Sequence, residues 1–112
     1  MRKYISLVFL VTISFSYSFG QTSLSEQLAQ RIANTMKDTI ALSPFQTQKI
    51  YGINMNLNTR KLQARTISTD RAVVGEAIQA VERTRDSLYR IELTTTQYQL
   101  YLKKKKNIIK SN

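Results

Sequence analysis

The phrase Leu–hydroxyl–x–x–Gln is written twice in this chain, as Leu42-Ser43-Pro44-Phe45-Gln46 and as Leu93-Thr94-Thr95-Thr96-Gln97. Each copy closes one stretch of helical periodicity and opens another. A Ser or Thr at a helix N-cap accepts from the backbone N–H three residues on. A Gln at that third position reaches back to the N–H of the cap. The two copies therefore predict two helix-to-helix corners of the same construction. With one Pro and three Gly in 112 residues, little else interrupts helix. The expected fold class is all-α.

Met1-Arg2-Lys3 is short and basic. Tyr4 to Phe19 is free of charge, with Ile5-Ser6-Leu7-Val8-Phe9-Leu10-Val11 at its centre, and the stretch ends Ser18-Phe19-Gly20-Gln21. Small residues at Ser18 and Gly20 suit the −3 and −1 pockets of a signal peptidase, so residues 1–20 read as a secretory signal peptide cleaved after Gly20. The alternative is a membrane anchor, for which the run falls short of the roughly 20 apolar residues needed to cross a bilayer. Residues 21–112 are then expected to form one exported helical domain ending in a basic tail. With no Cys it has neither a lipid-anchored N-terminus nor a disulfide. A monomer of this size is marginal, and pairing would help it.

Helix is predicted from Ser23, where Ser23-Leu24-Ser25-Glu26 has the form of a capping box. Leu24, Leu28, Ile32, Met36 and Ile40 follow at four-residue steps and make one apolar stripe. The second helix opens at Ser43, with Pro44 at the position that tolerates it. Its stripe is Gln46, Ile50, Ile53, Leu57 and Ala64. Gly52, Asn54, Asn56 and Asn58 are expected to weaken it locally. Thr66 to Asp70 reads as a loop, with Thr69 or Asp70 capping a third helix over about Arg71 to Leu93. That helix has Val74, Ala77, Ile78, Val81, Leu88 and Ile91 on its apolar side and Arg83, Arg85 and Arg90 among acids on its surface. Thr94 caps a fourth, in which Tyr98 and Tyr101 share a face that covers core or a dimer seam.

The formal charge is +10, from 17 Lys and Arg against 7 Asp and Glu, with no His. Removing Arg2 and Lys3 lowers it by two. Nucleic acid is the usual partner of such a chain, but export argues against it. Anionic lipid, acidic protein and unfolded chains remain. The absence of His and Cys removes the common general base, thiol nucleophile and zinc ligands. The carboxylates are scattered and no phosphate-binding loop occurs. No enzyme, metal or cofactor is expected.

A signal peptide, a small basic helical chain and two Leu-Thr-x-x-Gln corners together resemble the Spy/CpxP family, which is known by that repeated motif. Leu93, Thr94 and Gln97 fit the motif fully, and Ser43 replaces Thr in the first copy. The resemblance implies a periplasmic, elongated and curved antiparallel helical hairpin arrangement of about four helices that forms a homodimer. It implies an ATP-independent chaperone holding unfolded or partly folded envelope proteins. Other members act as adaptors for an envelope-stress sensor kinase. Some bind metal, a branch that the missing His and Cys disfavour.

The six motif residues are expected to be structural. Leu42 and Leu93 pack, Ser43 and Thr94 cap, and Gln46 and Gln97 close the boxes. No acid occurs between Asp38 and Asp70. The bases Lys49, Arg60, Lys61 and Arg65 in that interval are candidates for client contact, against simple solvation. Lys103, Lys104, Lys105 and Lys106 either touch anionic membrane weakly or a sensor partner, or form a solvated tail whose charge suits a helix C-terminus. If export is correct, the mass spectrum of the protein recovered from the envelope starts at Gln21. A spectrum starting at Met1 contradicts it.

Overall fold

The computed structural model describes residues 23–109. The expected signal peptide, residues 1–20, and the last three residues of the expected basic tail lie outside them. The chain forms α1 (Leu24–Ile40), α2 (Pro44–Ala64), α3 (Arg71–Glu92) and α4 (Thr95–Ile108), with no strand among the described residues. Each helix opens on an oxygen-bearing side chain. Ser23 accepts from the Glu26 N–H and Asp70 from the Ala72 N–H. Ser43 and Thr94 form full capping boxes with Gln46 and Gln97, at nearly the same cap dihedrals (−70°, 163° and −68°, 164°).

Neighbouring helices run antiparallel, as the side-chain contacts dictate. Asn54 and Asn58 of α2 donate to the carbonyls of Ala29 and Ser25 in α1, both at 3.0 Å, so α2 ascends as α1 descends. Lys61 meets Glu82 while Asn54 meets Arg85, which sets α3 against α2 in the same sense. Tyr101 and Lys105 both reach Asp86 from α4. Helix α2 thus lies between α1 and α3, and α4 closes the end formed by the two corners.

The corners meet. Gln46 Nε2 donates to Gln97 Oε1 at 2.7 Å, and Gln97 Nε2 donates to Gln46 Oε1 at 3.0 Å. Each Oε1 also accepts from its own cap, Ser43 N at 2.9 Å and Thr94 N at 3.0 Å. Each Nε2 spends its second hydrogen on the helix end before the other corner, Glu92 O at 3.1 Å and Ala41 O at 3.2 Å. Both amides therefore have all their donors and acceptors in use. The arrangement has the form of a local two-fold axis between two stretches of sequence offset by 51 residues. Ala41 holds a left-handed backbone (φ 57°, ψ 56°), a helix-end conformation more usual for Gly, and its carbonyl is fixed by Gln97.

Beneath the corners lies the core. Ile32, Ala33, Met36, Ile40, Leu42, Ile50, Tyr89, Leu93, Tyr101 and Ile108 are buried together. Leu42 and Leu93 pack there. Three expectations from the sequence are corrected. The asparagines do not interrupt α2, because two of them satisfy their amides on α1 carbonyls. The buried positions of α3 are Arg85 and Tyr89, while Ile91 is 76% exposed. The four lysines belong to α4 rather than to a loose tail.

The paired glutamines make a double-mutant cycle informative. Gln46→Ala and Gln97→Ala should each destabilise the chain by about 1–2 kcal/mol through a lost cap and an orphaned amide partner. The double variant should cost less than their sum by on the order of 1 kcal/mol. Additive urea midpoints would refute the contact.

Candidate functional site

A polar seam ties α1, α2 and α3 together inside the molecule. Arg85 is 1% exposed and Asn54 is 1% exposed, levels at which an unpaired guanidinium or amide would be costly. Arg85 Nη1 donates to the Tyr89 hydroxyl at 2.8 Å and to Asn54 Oδ1 at 3.2 Å. The Tyr89 hydroxyl in turn donates to Asn54 Oδ1. Arg85 Nε and Nη2 grip Glu82 at 2.9 and 3.3 Å. No buried side-chain polar atom lacks a partner among the described residues. Tyr89 also stacks edge-on against Tyr101, with centroids 5.1 Å apart. Burial pushes both phenols above their ordinary value, opposed at Tyr89 by the Arg85 charge and reinforced at Tyr101 by the Asp86 carboxylate.

Below the seam, away from the corners, the helices do not close. A groove of about 710 Å³ opens there. Its apolar walls are Leu24, Leu28 and Ile32 of α1, Leu62 of α2, Ile78 of α3 and Ile109 just past α4. Its polar wall is Lys61, Arg65, Glu82 and Arg85. Glu82 pairs with both Lys61 and Arg85, leaving the positive charges in excess. Burial first, then the Arg85 and Arg65 guanidiniums, push the Lys61 ammonium down to about 8. A second recess, of about 510 Å³, carries Glu26 and Asp38 beside Arg31 and lacks both the basic excess and the apolar walls.

Lys49, Arg60 and Lys61 of α2 and Arg65 at its C-terminal cap do not share one face. Lys61 and Arg65 line the groove. Lys49 is exposed and sits over the Phe45 ring at 5.3 Å. It lies eleven residues, about three turns, from Arg60, which is exposed as well. The motif residues are occupied by capping and by each other. Lys105 is fixed to Asp86 at 2.8 Å, whereas Lys103, Lys104 and Lys106 are exposed. Sequence periodicity missed Asn54, Arg85 and Tyr89, since a buried Arg reads as surface until its partners are known. The spacing that could have located the seam is Arg85 to Tyr89, one helical turn apart on the side of α3 opposite Ile91.

Among the described residues no group of three or more acids, His or Cys could hold a metal ion, and no helix is long and apolar enough to cross a membrane. Compared with known proteins, the chain matches no family model, no curated protein and no solved structure.

Since both buried phenols have raised pKa values, their contribution to stability is complete below the ordinary tyrosine value of about 10 and is lost as pH rises beyond it. In an alkaline titration, absorbance at 295 nm from Tyr89 and Tyr101 should appear together with loss of helical circular dichroism. Full ionisation of every tyrosine with the helices intact would contradict their burial.

Proposed function

We propose that this protein is an exported, non-enzymatic holdase that binds unfolded or partly folded chains without ATP. The observation that carries the reading is the open groove, which sets six apolar side chains beside an excess of fixed positive charge. Unfolded polypeptides expose both apolar groups and carboxylates. A shallow mixed surface can attract them by charge and hold them by apolar contact, and it can release them because no single contact is deep. Exposed apolar residues at the groove rim, Leu24 at 82% and Leu62 at 51%, extend the surface and suit a paired chain that shares clients across two copies. The twin motifs support the same reading through the Spy/CpxP resemblance, with the envelope as the compartment.

The test is suppression of aggregation. At near-stoichiometric ratio the protein should lower the light scattering of several unrelated refolding proteins. The effect should weaken as added salt shortens the screening length from about 10 Å at 0.1 M towards 3 Å at 1 M. Failure to protect any client ends the proposal, and salt-independent protection removes its electrostatic half.

A further inference from the structure

We infer that the groove is a seat for one short amphipathic helix with an acidic edge, laid between α1 and α3 in line with α4. The inference rests on the reading that the groove takes polypeptide and specifies which kind.

The first support is length. Lys105 meets Asp86, and α4 ends at Ile108, about one turn later. Helix α3 continues from that level back to Arg71, about 16–18 Å or roughly three turns. Over this span α1 and α3 lack the wall that α4 supplies nearer the corners. Ile109 marks where that wall stops and the groove begins.

The second support is chemistry. The walls are helices, so their backbone hydrogen bonds are already made. An extended peptide would find no sheet edge to pair with, while a helix satisfies its own backbone and needs only side-chain contact. Leu24, Leu28 and Ile32 stand at four-residue steps, a ridge of the kind that fits the groove of another helix. Charge completes the complementarity. Lys61 and Arg85 share the single carboxylate of Glu82, and Arg65 forms no ion pair among the described residues. A carboxylate on the incoming helix would face Arg65 and offset the positive excess of the groove wall.

The probe is a fluorescein-labelled synthetic peptide of about twelve residues, with leucines on one helical face and glutamates on the other. Its anisotropy is followed as the full chain is added. Saturable one-to-one binding is expected, together with a rise in peptide helicity. Arg65→Glu should weaken binding about tenfold, and a peptide with lysine in place of glutamate should bind at least as poorly. Arg65 is exposed, so the variant should melt as the parent does, and Arg65→Lys should restore most of the binding. Equal affinity for the acidic and basic peptides, or no effect of Arg65→Glu, overturns the inference. So does binding of sodium oleate at the groove without binding of the peptide. Aggregation suppression by the same chains separates the two claims. Peptide binding without suppression leaves the seat and removes the holdase, and suppression without peptide binding does the reverse.

Discussion

Gln46 and Gln97 hold each other through both amide groups, and the joining of the two helix corners depends on that pair. Each glutamine first completes its own capping box. It then spends its remaining hydrogen-bonding capacity on the opposite corner. Two separate local motifs thereby become one clasp across 51 residues of chain. It closes the end of the bundle where α1 meets α2 and α3 meets α4, and it places Leu42 and Leu93 in one core. Because each amide's donors and acceptors are all used, rotating either glutamine away would orphan several polar groups at once.

The seam formed by Asn54, Arg85 and Tyr89 does a different job. A buried guanidinium gains little net stability over a well-packed apolar residue, because removing its water shell costs nearly what its partners return. What it supplies is register. Arg85 must meet Asn54, Tyr89 and Glu82 together, and Asn54 must also reach the Ala29 carbonyl. A slide of one helical turn between α2 and α3 would break the Asn54 bonds to Arg85 and Tyr89 and the Lys61–Glu82 pair. The seam also divides the molecule into a closed core on the side of the corners and an open basic groove beyond it.

That division frames the functional reading. The groove exists because α4, at 14 residues, is shorter than α3, at 22. Its positive surplus exists because one carboxylate serves two of the three cations around it. Shape and charge are thus consequences of helix length and of the seam, and both are compatible with loose capture of polypeptide.

The helices themselves were legible in the sequence because caps and stripes are local. Ser43 and Gln46 lie within one turn, and Ile32, Met36 and Ile40 repeat on one face whatever the rest of the chain does. The identity of the residues that bind across helices was not legible. Asn54 and Asn58 read as helix-weakening, Arg85 as a surface charge and Lys61 as a free base, since propensity describes a residue in isolation while their roles depend on partners 21 or more residues away. The sequence by itself determined the all-α class, the two corners and the basic excess, because these follow from short-range geometry and composition. Only the tertiary structure decided that the corners clasp, that α3 buries an arginine and that a groove stays open below it. Those outcomes turn on which polar groups find each other once water is excluded.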